Sequence, residues 1–285
     1  MPRARQDRAV GPWARIRPQQ SNLRAWQVVL LVGFFVFWHL MTAPGIVPPV
    51  YFDDAGKAAF FFGEPLKVLD RVWNWFFSGA IYEHLWVTLW ETVLAFAIGT
   101  VSGLVIGLWL ALNPIASALM DPYIKALNSM PRVILAPIFG VWFGLDIASK
   151  VALGVTLVFF IVFFNVYQGV REVSPTVLAN ARILGADSRQ LLRHVYVPSA
   201  MSWVFASLHN SVGLAFVGAV VGEYLGSSRG VGYLILQAEG TFDINTVFAG
   251  IVVLTGFALL LDWGVTLAEK RLMVWQPRQS ETERI

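Results

Sequence analysis

Unbroken apolar stretches alternate with short polar, basic or proline-marked segments along the whole chain. Crossing about 30 Å of hydrocarbon takes about 20 mostly apolar residues at about 1.5 Å per residue. Six stretches fit, at approximately 26–42, 85–112, 116–144, 149–170, 200–222 and 246–268. The third is interrupted by Asp121, Lys125 and Arg132, and Pro122, Pro131 and Pro137 forbid one straight helix, so the pattern predicts a broken one. Between the first two stretches, Phe60, Phe61 and Phe62 are followed by Leu66, Leu69, Val72, Trp73 and Phe76 at helical spacing, with Lys67, Asp70 and Arg71 on the other side. That arrangement predicts a helix lying in the membrane interface, anchored at headgroup level by Trp73 and Trp75.

Composition removes the soluble alternatives. Of 285 residues, 56% are hydrophobic and 14% charged, against about 25% charged in an ordinary globular protein. Twelve Trp, 21 Phe and a mean hydropathy of +0.62 exceed what one or two ordinary cores could hide. Without cysteine there are no disulfides, thiolate ligands or Cys nucleophile. The net charge of +3 is small, and the placement of the basic residues is what informs. Lys and Arg are retained on the cytoplasmic side. Arg3, Arg5, Arg8, Arg15, Arg17 and Arg24 precede the first span; Arg171, Arg182, Arg189 and Arg193 follow the fourth; Lys270, Arg271, Arg278 and Arg284 follow the sixth. Six crossings therefore put fourteen basic residues inside and five outside, the latter being Lys57, Lys67, Arg71, Lys150 and Arg229. Both termini are expected in the cytoplasm. The first apolar run reads as a retained anchor, because the residues at 41–44 (MTAP) make a poor cleavage site.

The expected organisation is a cytoplasmic basic arm at 1–25, a first anchor at 26–44, an extracytoplasmic segment at 45–84, a membrane core at 85–270 and a cytoplasmic tail at 271–285. Gly99, Gly103 and Gly107 in the second span, with Ala215, Gly218, Ala219 and Gly222 in the fifth, are small-residue seams where helices approach closely. Polar residues inside spans are costly and therefore informative. Asn128, Asn165, His209, Asn210, Ser211 and Glu223 are candidates for a weakly polar route. Glu91 and Asp262 lie within about two turns of their predicted helix ends and are expected to snorkel. Hydrolase and nucleotide-binding signatures are missing, and the four histidines are scattered too widely for a metal site.

The segment 171–199 carries the most legible local chemistry. Ser174 before Pro175 predicts a helix start, Val177, Leu178, Ala181 and Leu184 form one stripe, and Gly185 supplies a left-handed close. Asp187 and Gln190 form a capping box that opens a second helix containing Leu191, Leu192 and Val195, ended by Pro198. This helix-turn-helix is tied to the bilayer at both ends, which argues against nucleic acid as its partner. It needs a protein, or the ends of the membrane helices, to cover its apolar stripes.

The spacing of Ala181, Gly185, Val195, Val197 and Pro198 resembles the EAA motif of ABC importer permeases, in which Glu-Ala-Ala, three residues, Gly and nine residues precede Ile-x-Leu-Pro. Gly to Pro is thirteen positions here too. The chain departs at Ala179 and Asn180, where that motif has Glu and Ala. NSMPR at 128–132, AP at 136–137, WFG at 142–144, NVYQG at 165–169 and EYLGSSRGVGY at 223–233 are similar to the branch importing nitrate, sulfonates and taurine. Further departures are Glu91, Ser202, Ser207 and His209, where the branch commonly has Arg, Pro, Gly and Arg. The resemblance covers roughly residues 80–278. It implies an all-α integral membrane fold of about six transmembrane helices, in the type I ABC importer permease (MetI-like) architecture, in the bacterial inner membrane. It also implies a homodimeric permease with two cytoplasmic ATP-binding subunits and an extracytoplasmic solute-binding protein. The chain itself would bind no cofactor, with ATP and Mg on the partner ATPase. Ala181, Arg182, Gly185, Ala186 and Pro198 are the expected ATPase-coupling residues. The competing readings are a secondary transporter or channel, which predicts gradient-driven uptake, and an intramembrane enzyme, which needs a mid-depth acid or His cluster.

Overall fold

The computed structural model describes residues 23–42 and 55–272, and every regular element among them is helical. Most of the basic arm, the 43–54 segment and the tail beyond 272 lie outside the described residues. Five helices are long and apolar enough to cross a membrane, or six if one bent pair counts as a span. The chain divides into two compact units, residues 1–69 and 70–285.

In the first unit, α1 (Leu23–Thr42) is the first candidate span and α2 (Ala55–Phe62) carries the phenylalanine run. Trp38 Nε1 donates to the Phe62 carbonyl at 3.0 Å. The segment expected to be helical is α3 (Pro65–Ser78), in which the unit boundary falls.

The second unit is built on α4 (Ala80–Leu112), α7 (Ile147–Arg171) and α11 (Leu208–Gly226). The glycine seam of α4 faces α7. A Cβ at Gly99 would lie 2.7 Å from Val158 Cβ, and one at Gly103 would lie 2.9 Å from the Phe159 carbonyl. On its other side α7 meets α11, where a Cβ at Gly218 would fall 2.5 Å from Gly154 Cα. Van der Waals contact between backbones drives helix association where lipid removes the hydrophobic effect. Val151, Val158, Val162, Val166 and Val170 of α7 fill the core, with Ala95 of α4 and Ala215 of α11. A smaller cluster joins Ile81, Val231 and Val253 with Trp75 of α3 packed against it, so Trp75 belongs to a protein core, while Trp73 is exposed.

The third span is broken as expected. Asn113 ends α4 and caps α5 (Pro114–Ser129) by accepting from the Ala116 N–H at 3.1 Å. A 3-10 turn (Arg132–Ile134) then leads into α6 (Leu135–Phe143), bent by 79°. The break falls at Pro131, whereas α5 runs through Pro122.

Three expectations need correction. The fifth span is two helices, α10 (Val197–Ala206) and α11, because the chain turns at Ser207, whose N–H is shared between the Trp203 and Val204 carbonyls. Beyond it α12 (Val231–Gly240), a helix that the apolar pattern missed, precedes α13 (Ile244–Leu272), which is the expected sixth span. Lys150 is not a loop cation: it lies in the first turn of α7, 1% exposed, its stem against Gly222 and its ammonium donating to the Leu145 carbonyl. Glu91 does not snorkel. α4 begins five residues before the predicted span, which puts Glu91 a third of the way along it, 1% exposed.

Candidate functional site

Residues 172–199 form the hairpin. α8 (Pro175–Ile183) starts with Ser174 at the cap position and Pro175 in the first turn, although the Ser174 hydroxyl makes no cap bond. Its end is a Schellman motif: Ala186 N–H donates to Ala181 O and Gly185 N–H to Arg182 O, both at 3.0 Å, around Gly185 at φ +85°. Both bonds involve expected coupling residues, which the motif fixes relative to one another. Nothing lies within 4 Å of a Cβ built on Gly185, so glycine serves the backbone conformation there and not a close approach.

The turn passes directly into α9 (Ser188–Leu191). Asp187 Oδ1 accepts from Gln190 N–H at 2.6 Å while Gln190 Oε1 accepts from Asp187 N–H at 2.9 Å, a complete capping box. Pro198 does not end the second helix, contrary to expectation. A π-turn (Leu192–Tyr196) carries the chain from α9 into α10, with Val197 N–H reaching back to Leu192 O. Proline removes one N–H and crowds the carbonyl four residues earlier, and widening the turn relieves both. The hairpin's second arm is therefore continuous with α10, which packs against α7.

The root of the hairpin is buried and its tip is bare. Leu191, Val170, Ala200 and Val204 are buried, and Ser199 Oγ donates to Gly169 O at 2.7 Å, tying α10 to α7. A Cβ at Gly169 would meet the Trp203 ring at 2.4 Å. At the tip Ile183 is 82% and Leu184 87% exposed, and Val177 is half exposed. Beside the root, Ala111, Pro114, Ser117, Ala118, Asp121, Tyr167 and Arg171 line a groove of about 540 Å³. There Ser117 Oγ and Tyr167 OH are 2.6 Å apart, and Arg171 donates to the same phenol at 2.8 Å.

The route candidates do not gather into one path. Asn128 is exposed on α5 and its Oδ1 accepts from Arg132, whose guanidinium lies 4.7 Å from the Phe160 ring centroid. Asn165 is half-buried and bonds the carbonyl one turn back, at Ile161. Asn210 is exposed, Ser211 is buried, and the His209 side chain lies outside the described residues. Glu223 is wholly buried among Thr88, Glu91 and the 230–232 backbone. No group of three His, Asp or Glu able to hold a metal occurs among the described residues.

Comparison with known proteins places this arrangement. Residues 103–274 match the model of the family described as binding-protein-dependent transport system inner membrane component. The chain belongs to that family. The permease named SsuC for aliphatic sulfonates transport, from Bacillus subtilis, is 34% identical over 199 residues, covering 70% of this chain and 72% of the relative. The formylaminopyrimidine transport permease protein ThiX of Halalkalibacterium halodurans is 33% identical over 215 residues, covering 75% and 86%. The taurine transport system permease protein TauC of Escherichia coli is 26% identical over 268 residues, covering 92% of each. A chain of the MetNI methionine ABC transporter, solved in inward-facing conformations, superposes with a TM-score of 0.54 at 20% identity, covering 66% of this chain and 92% of that one.

The protein is thus an all-helical, multi-pass transport permease of the type I importer architecture, and not an enzyme. Sequence reasoning on this permease missed the buried set Glu91, Lys150 and Thr88. The signal for Lys150 was Gly222, a seam glycine with no assigned neighbour, against which its stem packs.

Proposed function

We propose that this permease is the membrane subunit of an ATP-driven, binding-protein-dependent importer for a small anionic solute of the sulfonate, taurine or nitrate type. It works as a pair of copies in the bacterial inner membrane, with both termini in the cytoplasm. Two cytoplasmic ATP-binding subunits and an extracytoplasmic solute-binding protein complete the assembly. ATP and Mg sit on the ATPase, and this chain holds no cofactor.

The hairpin carries the reading. Its turn is fixed by a Schellman motif and a capping box while Ile183 and Leu184 at its tip are almost fully exposed. A rigid element with an uncovered apolar tip suits docking to a protein partner. Ala181, Arg182, Gly185 and Ala186 form the docking surface. Closure of the ATPase dimer pushes this tip, and the continuous path through the π-turn and α10, tied by Ser199 to α7, passes the motion to the membrane helices. Hydrolysis reverses it, giving alternating access. The names of SsuC and TauC support the anionic solute.

Gly185→Val tests the proposal. A β-branched residue in the left-handed region costs about 1–2 kcal/mol and displaces the turn. The variant is expected to reach the membrane at wild-type level but to lose ATP-dependent uptake. Unchanged uptake would overturn the assignment of the hairpin.

A further inference from the structure

A buried polar cluster joins α4, α7 and α11, and the transport reading does not use it. Glu223 of α11 is completely buried: its Oε1 accepts from Thr88 Oγ1 at 2.6 Å and its Oε2 from the Gly232 N–H at 2.7 Å. The 230–232 backbone is folded tightly onto it, since a Cβ at Gly230 would fall 2.1 Å from Glu223 Cδ. Donors thus occupy both oxygens, the arrangement of an ionised carboxylate. Glu91 of α4, 1% exposed, faces Glu223, and its own Oε2 is buried with no donor opposite it.

Two ionised carboxylates have no hydrogen to share. A proton on Glu91 accounts for both the contact and the orphaned oxygen. Charge leads to the same conclusion. Lys150 of α7 is the one cation facing the pair among the described residues, and with both acids ionised the cluster would bury an uncompensated negative charge, a state proteins avoid by taking up a proton. The other titratable neighbours lie at its margins. Asp146 faces Lys150, His84 Nδ1 is 3.1 Å from the Gly230 nitrogen, and Glu83 pairs with Arg229 at 3.1 Å in exposed positions.

We propose that Glu91 is a proton-binding site within the membrane, its carboxyl donating to the Glu223 carboxylate while Lys150 balances that charge. The proton then adds a second polar link between α4 and α11 beside the Thr88 bond.

Infrared difference spectroscopy on the full-length permease in lipid nanodiscs at neutral pH tests this. The wild type should show the C=O band of a protonated carboxylic acid, moving to lower wavenumber in D2O. The band should vanish in Glu91→Gln, and in Glu223→Gln it should persist at higher wavenumber, having lost its anionic acceptor. A band that survives Glu91→Gln but disappears in Glu223→Gln would put the proton on the wrong acid and overturn the assignment. So would a wild type without the band, or one whose carboxylate bands respond to added sodium. Should Glu91→Gln fail to accumulate, Glu91→Asp takes its place: the band should shift in it if Glu91 holds the proton, and an unmoved band would overturn the assignment.

Discussion

A side chain has no place at Gly218, where the α7–α11 seam puts a Cβ position 2.5 Å from the Gly154 backbone. Gly218→Val must separate the two helices and is expected to cost about 1–3 kcal/mol, the usual range for overpacking. A thermal unfolding curve of the solubilised permease reads this as a lowered midpoint. Gly256→Val on α13, where nothing lies within 4 Å, should leave that midpoint nearly unchanged. Seam glycines were legible in the sequence because their spacing of four is a property of a single helix. Their neighbours were not. Glu91 meets a partner on a different helix, 132 positions along the chain, and no local pattern records that. The expected snorkelling assumed a later helix start, and the five extra residues from Ala80 carry Glu91 into the core.

The hairpin is where sequence and structure agree most closely at the level of elements. Gly185, Asp187 and Gln190 act on residues within five positions of themselves, so their chemistry can be read without knowledge of the fold. Asp187→Ala removes half of the capping box and should cost about 1 kcal/mol of local stability. Amide hydrogen exchange at Gln190 is expected to speed up several-fold, while Asp187→Asn should retain most of the protection. Pro198 misled for an equally physical reason: proline ends a regular helix, but a π-turn ahead of it absorbs the clash. The division of the fifth span at Ser207 was hidden as well, since a serine bonded to a carbonyl three residues back looks from sequence like an ordinary helical residue.

For the molecule as a whole, apolar length and the distribution of arginines carried the reading a long way. They anticipated the number of candidate spans and the break in the third. The absence of cysteine makes the expected orientation directly measurable. Leu184→Cys at the hairpin tip is expected to react with a membrane-impermeant maleimide only in inside-out vesicles. Arg229→Cys should react only in right-side-out ones, and the reverse pattern would invert the topology.

One consequence follows from the five-residue π-turn between α9 and α10. Such a turn holds one more residue than regular winding needs, so losing a single codon among 192–196 could restore an unbroken α-helix. Both flanks would keep their register, so every side chain downstream would stay in its slot and the tip would keep its bearing about the helix axis. The result would be a correctly inserted protein whose handle faces the same way but must meet the proline clash that the wider turn had absorbed.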